Sequence, residues 1–358
     1  MDMETFPYSA VCCFENLYRS HLIARRGKRF TPEVINFELD LGNSLMRLTE
    51  ELKNETYRIS GYYSFRVYEP KERIIHALHY RDRVVQHCLC DYILEPLLGP
   101  KLIYDNAACR KGKGTHFAIR RLTGFLSDFY RKHGTQGYIL RCDVAKFFDS
   151  VSHRILKSKM LRVVWDEKLQ KMISDIIDSY ETSPGYGLPM GNQTSQWFAI
   201  YYLDEVDRLV KEELKCRYYV RYMDDFVIVH HDLNELRKIK SRIEKTVAGL
   251  ELRLNSKTQI FPIKNGVDFL GFHFYLTETG KVVRKIRRKS IRNLRRYLKH
   301  SVAEYANWRL SLKDLHQVLQ SYIQHMKTGH TWHLRCHLLS NVTWQRDTTV
   351  PVSERLVR

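Results

Sequence analysis

Two adjacent carboxylates, Asp224 and Asp225, lie between two apolar runs over 218–222 and 226–230 that are rich in Val, Ile, Tyr and Phe. Such runs favour strands, and the polar pair between them predicts the turn of a hairpin. Neighbours in a straight strand point to opposite faces, so at a bend at least one carboxylate can face a site. Mg²⁺ is the cation that such carboxylates hold together with substrate phosphates. Taken alone, the pair is more typical of an ordinary hairpin turn.

The charge balance narrows the class of partner. Lysine and arginine outnumber aspartate and glutamate by 59 to 40 in 358 residues, which gives a net charge of +19. That sign and size indicate a polyanion, nucleic acid before a membrane surface. No apolar run approaches the roughly 20 residues that span a bilayer, and the first four residues lack the pattern of a signal peptide. With eight scattered cysteines read as reduced thiols, we expect a cytoplasmic protein of two or three subdomains without a membrane partner.

A third carboxylate, Asp143, ends an apolar run that predicts a strand over 137–143. Such strand ends carry the ligand sites of open α/β sheets, so Asp143 could meet the hairpin across the sheet. Three carboxylates can hold two Mg²⁺ ions, one activating an attacking 3′-hydroxyl and one stabilising a leaving pyrophosphate. The alternative for Asp143 is a helix cap. Asp149, just before a helical run that begins near Ser150, is the better capping candidate and is left outside the metal site.

Basic side chains lie on a predicted hairpin and on a glycine-rich loop. The hairpin over 62–77 carries Lys71 and Arg73, which can hold a triphosphate as a point charge and as a bidentate fork. The loop carries Arg110 and Lys111 among glycines that let a backbone approach phosphate. Its spacing is not that of a Walker A motif, so we expect contact with a nucleic-acid backbone.

Two groups of metal-ligand residue types are weaker candidates. Cys88 and Cys90 lie in a predicted helix, where they point to different faces, so buried thiols are expected. His330, His333 and Cys336 have a spacing that could bind Zn²⁺ on a helix face. Packing within a helical region is the more common use of such residues, and the question stays open at this point.

Several blocks together resemble one polymerase family. Asp143 with Phe147 and Phe148, followed by the block over 222–225, resembles the palm of a reverse transcriptase. Further blocks resemble this family in order and spacing, namely the fingers block of group II intron-like enzymes over 81–86, the block over 187–196, the lysine block over 254–258 and the primer-grip hairpin over 269–272. The resemblance covers roughly residues 60–275, and six blocks in the family's order make chance a poor explanation.

This resemblance implies an α+β fold shaped as a right hand, with fingers, a palm of antiparallel sheet plus helices, and a helical thumb. The basic segment beyond Gly280 carries a helical stripe that fits a thumb helix against a primer–template duplex, with a solvated basic face as the alternative. The implied domains are an N-terminal helical extension over 1–60, fingers over 61–136, a palm over 137–276 with a fingers-side insertion around 152–185, a thumb over 277–342 and a flexible tail over 343–358.

The same resemblance implies roles for single residues. Asp143, Asp224 and Asp225 are the implied metal carboxylates, with the first two as principal ligands and the Val144 carbonyl as a backbone ligand. Lys257 resembles the lysine that protonates the leaving pyrophosphate, and plain surface charge is its alternative. The implied cofactor is a pair of Mg²⁺ ions, with Mn²⁺ as a substitute.

Substrate contacts are implied in the same way. Phe148 falls five residues after Asp143, where the family keeps a steric gate against the ribose 2′-hydroxyl. The implied dNTP-binding residues are Lys71, Arg73, Phe148, Gly191 and Gln196. The implied primer and template contacts are Arg110, Lys111, Asn192, Phe269, Leu270, Gly271, Arg288 and Arg292.

The block over 187–196 narrows the subfamily. Group II intron enzymes usually carry a glutamine and a proline where this chain has Met190 and Gln196. The order Gly-Asn-x-Thr-Ser-Gln resembles the reverse transcriptases of diversity-generating retroelements, and antiphage-defence enzymes look similar. The resemblance therefore implies a bacterial or phage RNA-directed DNA polymerase that makes cDNA and, from these two departures, an error-prone one.

The implied partners are an RNA template, a primer–template duplex, dNTPs, a structured non-coding RNA and an oligomeric, basic accessory protein. Two rival functions stay open. One is an antiphage-defence reverse transcriptase that copies a dedicated non-coding RNA, and the other is a catalytically idle nucleic-acid-binding module. Retention of the three carboxylates and Lys257 speaks against the idle module.

Overall fold

The computed structural model of the protein describes residues 6–68, 72–340 and 342–347. The chain divides into two compact units. The first comprises Met1–Gly114, Arg141–Ile228 and Asn234–Gln259, and the second comprises Thr115–Leu140, Val229–Leu233 and Ile260–Arg358. All four residues predicted to be catalytic therefore belong to the first unit.

Three helices open the first unit, namely α1 (Phe14–Ala24), α2 (Pro32–Leu39) and α3 (Leu41–Lys53). Apolar residues at helical spacing bury Leu45, Leu48 and Leu52 along α3. Pro32 begins α2, where its fixed φ and missing N–H suit the first helical turn. The helices expected in this part of the chain are present.

An antiparallel hairpin follows, formed by β1 (Tyr62–Val67) and β2 (Arg73–Leu78). Its register pairs Phe65 with Ile75 and Val67 with Arg73. Arg73 is therefore the first paired residue of the returning strand, as the predicted hairpin requires. Lys71, predicted to bind the triphosphate beside Arg73, lies outside the described residues.

The helix after the hairpin is interrupted. It starts as α4 (Tyr80–Leu89), passes through a π-helical turn over Cys90–Leu94 and continues as α5 (Glu95–Leu98). Pro96 lies in the first turn of α5, where its missing N–H costs α5 no internal hydrogen bond. The chain therefore stays helical from α4 to α5, with the π-helical turn directly before the turn that contains Pro96.

The central stretch of the chain builds a four-stranded sheet with the strand order β4-β5-β3-β6. A π-helical turn over Leu209–Glu213 extends the helix before β4. The elements in chain order are α6 (Thr115–His133), β3 (Tyr138–Asp143), α7 (Phe147–Ser150), α8 (His153–Leu161), α9 (Glu167–Asp178), α10 (Gln193–Tyr202), α11 (Asp204–Arg208), β4 (Tyr218–Tyr222), β5 (Asp225–His230), α12 (Leu233–Gly249) and β6 (Gln259–Pro262). Because β5 lies between β4 and β3, the Asp-Asp hairpin and the strand that ends at Asp143 are neighbours.

The second unit continues with an antiparallel three-stranded sheet of β7 (Val267–Phe269), β8 (Phe272–Leu276) and β9 (Val282–Ile286). The chain then forms α13 (Arg288–Ala306), α14 (Leu312–Lys327) and α15 (Trp332–Ser340). The basic segment beyond Gly280 thus supplies a strand before it supplies a helix. The helices expected within residues 277–342 are present as α13, α14 and α15, whereas the boundaries between fingers, palm and thumb stay predictions.

The sequence Asn265-Gly266 predicts a hairpin turn between the strands on either side of it, and this prediction is wrong. Asn265-Gly266 is typical of a hairpin turn, but β6 before it pairs with β3, whereas β7 after it pairs with β8. Gly266 has a φ of +70°, and a Cβ there would collide with the Phe274 carbonyl oxygen. The glycine is therefore required for a close backbone approach in a connection between two sheets.

The helix-cap prediction for Asp149 is also wrong. Asp149 lies inside the short helix α7, and the next helix begins at His153 after Ser152. The residue before α7 is Lys146, whose backbone is in a left-handed conformation with φ +45°. No side chain caps the start of α7 with a hydrogen bond.

The cysteines and the apolar content agree with the bulk properties of the sequence. All eight cysteines are free thiols, and Cys88 and Cys90 are buried, as expected for packing residues. Among the described residues, no helix combines the length and the apolar character needed to cross a membrane.

Candidate active site

The two adjacent aspartates do not share the turn of the hairpin. Met223 and Asp224 form the two-residue turn between β4 and β5, and Asp225 is the first residue of β5. Met223 has a φ of +55°, in the region that favours glycine. The turn therefore presents Asp224 at its tip, and the prediction that both carboxylates occupy the bend is corrected by one residue.

The Asp224 carboxyl lies in the field of a second carboxylate and of two cations. Burial raises its pKa, and the negative charge of Asp143 raises it further, whereas Arg73 and Arg221 act in the opposite direction. Asp143 and Asp224, predicted from separate stretches of the sequence, are thus brought close enough to interact. The charge of Arg73, an exposed residue of β2, acts on the same carboxyl.

Asp225 is held by an arginine that the sequence reasoning did not select. The Arg141 guanidinium donates to Asp225 through Nε–Oδ1 at 3.2 Å and Nη2–Oδ2 at 3.1 Å. Burial raises the pKa of Asp225 to about 6, Arg141 opposes that shift, and the charges of Asp143 and Asp224 add to it. This fork–fork pair engages both oxygens of Asp225. It leaves Asp143 and Asp224 as the better candidates for the principal metal ligands.

The loop that carries Lys257 is hydrogen-bonded to the end of β3. The Asn255 N–H donates to the Asp143 carbonyl oxygen at 2.7 Å, and the Thr258 hydroxyl accepts from the Asp143 N–H at 3.4 Å. The Asn255 side chain accepts from the Lys257 N–H at 3.0 Å, and the Lys257 side chain is exposed. The backbone of this loop therefore places Lys257 beside Asp143.

The donors fit a cation shared with a substrate better than a preformed metal cage. Within the described ranges, no group of three His, Cys, Asp or Glu side chains is arranged to hold a metal ion. Mg²⁺ is commonly held by one or two carboxylates plus substrate phosphates. A cation there would relieve the repulsion that raises the pKa of Asp224. Val144, predicted to add its carbonyl, is buried and forms an isolated bridge with Leu254.

Two aromatic residues after Asp143 are used differently. Phe147 is 3% exposed and belongs to the core, as its position suggests. Phe148 is only half-buried, and its ring centroid lies 5.7 Å from that of Phe147. The Phe148 carbonyl oxygen accepts from the Leu188 N–H at 2.7 Å. The predicted steric gate is thus attached to the block that begins at residue 187.

The block over 187–196 packs against both the hairpin and the glycine-rich loop. Gly191 has a φ of +115°, and a Cβ there would lie 3.2 Å from the Ile75 side chain of β2. Asn192 is buried, and its Nδ2 has no hydrogen-bond partner among the described residues. Gln196 accepts from the Cys109 thiol at 3.2 Å. These contacts bring the predicted dNTP-binding residues Gly191 and Gln196 together with the β1–β2 hairpin in one unit.

The basic side chains of the glycine-rich loop are already engaged. Arg110 donates to the carbonyl oxygens of Ile103 at 2.8 Å and Gly99 at 2.9 Å, so its guanidinium holds the loop together. Lys111 pairs with Glu95 at 2.9 Å while remaining 80% exposed. A phosphate contact by Arg110, which stays a prediction, would require the release of these carbonyl oxygens.

The remaining predicted nucleic-acid contacts belong to the second unit. Phe269 is buried, and Leu270 and Gly271 form the turn of the β7–β8 hairpin with φ values of +47° and +91°. Arg288 and Arg292 are exposed in the first turns of α13. The predicted primer-grip segment is thus a hairpin, and its substrate contacts stay predictions.

The histidine–cysteine group near the C-terminus shows no metal geometry. His330 Nδ1 accepts from the Arg284 N–H at 3.1 Å. The absence of a three-ligand cluster among the described residues also covers His333 and Cys336. His333 and Cys336 are exposed on α15, so the expectation that this group packs within the helical region is wrong for these two residues.

Sequence reasoning missed Arg141 and Arg221. Arg141 lies two residues before Asp143 in β3, so both face the same side of the sheet. Arg221 is a charged residue inside an otherwise apolar strand, and it is fully buried. Both signals are visible in the sequence once the strands are assigned.

One family model matches more than half of the chain. A family model described as reverse transcriptase (RNA-dependent DNA polymerase) matches residues 68–274. The protein YkfC of Escherichia coli (strain K12) is 26% identical over 261 residues, which cover 60% of this chain and 68% of that protein. Telomerase from Candida albicans, solved in complex with a TWJ fragment of telomeric RNA, superposes with a TM-score of 0.47 and 14% identity, covering 79% of this chain. The match spans 58% of the telomerase chain.

Proposed function

This chain belongs to the reverse transcriptase (RNA-dependent DNA polymerase) family, and we propose that it makes cDNA from an RNA template at Asp143 and Asp224. The family match covers more than half of the 358 residues. Membership confirms the predicted right-hand α+β polymerase fold and the predicted enzyme class, RNA-directed DNA polymerase. The single observation that supports the site is the turn that presents Asp224 within the field of Asp143 and Arg73.

The proposed reaction is in-line attack of a primer 3′-hydroxyl on the α-phosphate of a dNTP. Two Mg²⁺ ions, when bound, would lower the pKa of that hydroxyl and stabilise the leaving pyrophosphate. Asp143 and Asp224 would hold the metal through carboxylate oxygens, while Arg141 keeps Asp225 aligned at the start of β5. Mn²⁺ is expected to substitute.

The chain's cations act on the phosphates. Arg73, exposed on β2 and facing Asp224, stabilises the negative charge of the triphosphate. Lys257 is exposed on the loop tied to Asp143 and donates a proton to the leaving pyrophosphate. Phe148 excludes a ribose 2′-hydroxyl from the same site.

Primer extension by an Asp224→Ala variant tests the proposal. We expect a loss of at least about 100-fold on an RNA template with dNTPs and Mg²⁺, the size expected when one essential electrostatic contact is removed. Asp40→Ala is the matched control, because Asp40 is an exposed acid of the same unit outside the site. Equal activity of Asp224→Ala and the wild type would overturn the assignment, and thermal unfolding checks that both variants fold.

We further propose a role in a diversity-generating retroelement, with error-prone copying. The support is the Gly-Asn-x-Thr-Ser-Gln order and the departures at Met190 and Gln196, of which Gln196 is held by Cys109. A structured non-coding RNA and an oligomeric, basic accessory protein belong to this proposal, as does a cytoplasmic location in a bacterial or phage-infected cell. Sequencing of the cDNA made in cells tests it, because adenine-biased errors copied from a template repeat are expected.

The rival role is an antiphage-defence reverse transcriptase that copies a dedicated non-coding RNA. It shares the palm chemistry and differs in partner and product. A repetitive or fixed cDNA would favour defence over diversification. An idle nucleic-acid-binding module is opposed by the carboxylates and Lys257, and wild-type activity in the primer-extension test excludes it.

A further inference from the structure

A buried arginine beside the active-site turn has no part in the proposed chemistry. Arg221 lies in β4, two residues before Met223, and it is 0% exposed. Burying a guanidinium is costly unless its donors find acceptors. The acceptors that the fold provides therefore show what the residue is used for.

The Arg221 guanidinium reaches three separate elements. Its Nε and Nη2 donate to the two carboxylate oxygens of Asp207 in α11, at 2.7 and 2.6 Å. Nη2 also donates to the Ile200 carbonyl oxygen in α10 at 2.9 Å. Nη1 donates to the Met223 carbonyl oxygen in the turn at 2.9 Å. A planar fork can make these contacts at once, and a point charge cannot.

Asp207 is compensated independently of the turn. It is 0% exposed, and its Oδ1 also accepts from the Tyr219 hydroxyl at 2.5 Å. Its Oδ2 accepts from Asn106 Nδ2 at 3.4 Å. Charge neutralisation of Asp207 therefore does not by itself require that Arg221 reach the Met223 carbonyl.

The Met223 carbonyl belongs to the peptide that leads into Asp224. Met223 is held at a φ of +55°, so this peptide stands in a conformation that a non-glycine residue adopts rarely. A hydrogen bond to its oxygen fixes the plane of the peptide and hence the direction in which Asp224 leaves the turn. The bond to Ile200 ties the same guanidinium to the helix that follows Gly191 and Asn192.

We propose that Arg221 is a positioning residue, which holds the Met223–Asp224 peptide against α10 and so sets the location of the Asp224 carboxylate for metal binding. This inference rests on the proposed function, because it assumes that Asp224 is a metal ligand. If the Arg221 guanidinium is replaced by another positively charged group, we expect metal binding and turnover to fall strongly and the stability of the fold to fall less.

Arg221→Lys and Tyr219→Phe form a matched pair of variants. Lysine keeps a charge for Asp207 but cannot span Asp207, Ile200 and Met223, whereas Tyr219→Phe removes one hydrogen bond to Asp207 and leaves the contact to Met223. Mn²⁺ binding to the free protein by electron paramagnetic resonance and single-nucleotide incorporation are measured for both, with the wild type and Asp224→Ala as references. Unfolding temperatures are compared alongside.

For Arg221→Lys we expect Mn²⁺ affinity reduced about 10-fold and kcat reduced about 10- to 100-fold, with KM for dNTP within about threefold of the wild type. For Tyr219→Phe we expect a comparable fall in unfolding temperature with Mn²⁺ affinity and kcat close to the wild type. Should Arg221→Lys not fold, the double variant Arg221→Met with Asp207→Leu removes the whole ion pair in favour of apolar volume and is expected to show the same losses.

The inference is overturned if Arg221→Lys matches the wild type in both Mn²⁺ affinity and kcat, or if Tyr219→Phe loses both to the same extent. The Asp224→Ala reference separates this from a failure of the proposed function. If Asp224→Ala binds Mn²⁺ and extends primers as the wild type does, the site assignment is wrong and the inference falls with it.

Discussion

At the scale of single residues, two neighbouring phenylalanines differ in burial. Phe147 is 3% exposed, whereas Phe148 is half-buried. The family resemblance implies a gate at Phe148, and the burial of the two rings leaves Phe147 as the core residue of the pair. The gate role itself remains a prediction, since it concerns a substrate.

Phe148→Ala is expected to relax sugar selection. Removal of the ring leaves space for a 2′-hydroxyl, so incorporation of rNTP relative to dNTP should rise by about 10- to 100-fold. Single-nucleotide incorporation with matched dNTP and rNTP measures the ratio. Phe147→Ala is the adjacent control, and it should instead lower the free energy of unfolding by about 3–5 kcal/mol. Unchanged rNTP discrimination in Phe148→Ala contradicts the gate.

His87 in α4 is expected to make the stability of the fold depend on pH. Burial lowers the pKa of His87 to about 4, and the charges of Lys28 and Arg83 add to that shift. An unfolded histidine titrates near 6.5, so the unfolded chain binds the extra proton between these values. The contribution of His87 to the free energy of unfolding is therefore fully present above about pH 6.5 and is lost as the pH falls towards 4.

His87→Gln tests this dependence. The wild type should lose on the order of 3 kcal/mol of unfolding free energy between pH 7 and pH 4 through this group alone, and the variant should lack that part of the slope. Denaturant unfolding at several pH values measures both proteins. Identical pH dependence of the wild type and His87→Gln would show that His87 does not carry the effect.

At the scale of elements, local sequence signals predicted one hairpin to within one residue and predicted another where none forms. The flanking apolar runs predicted the Asp-Asp hairpin, but its turn is Met223-Asp224. The sequence did not indicate this turn, because methionine is not a typical turn residue. Asn265-Gly266 carries the strongest local turn signal and joins two different sheets, since β6 pairs with β3 across more than a hundred residues. Pairings of that range leave no trace in a local pattern.

The β7–β8 hairpin offers a test at this scale. Leu270 and Gly271 both have positive φ, the geometry for which asparagine and glycine are the preferred pair. Leu270→Asn should therefore raise the free energy of unfolding by about 0.5–1 kcal/mol. If Leu270 contacts the primer as predicted, primer extension should fall at the same time. A variant that gains stability and keeps full activity would remove Leu270 from the primer contacts.

At the scale of the whole molecule, the net charge of +19 attracts polyanions to the protein in addition to the contacts made at single sites. Exposed cations line α13, namely Arg288, Lys289, Arg292, Arg295, Arg296 and Lys299. Composition predicted a polyanionic partner, and the family supplies one in the form of nucleic acid. Composition could not predict which face of the helix is exposed, because that depends on the burial of Leu294 and Leu298.

The affinity for a primer–template duplex should fall steeply with salt. Each cation that contacts a phosphate contributes about one unit to the slope of log K against log salt concentration. Arg288→Ala and Arg292→Ala should each reduce the slope by about one, measured by fluorescence anisotropy. Lys245→Ala, which removes an exposed lysine of α12, is the control. Equal slopes in all four proteins would exclude α13 as a duplex-binding surface.

Single-turnover incorporation of one dNTP on a preformed RNA–primer duplex tests the central claim most directly, because it separates binding from chemistry. Asp143→Asn and Asp224→Asn are compared with the wild type at saturating duplex and Mg²⁺. Duplex affinity should stay within about threefold, while the incorporation rate should fall by at least about 100-fold in each variant, since each removes a carboxylate from the same site. A wild-type rate in either variant would contradict a metal site built from Asp143 and Asp224.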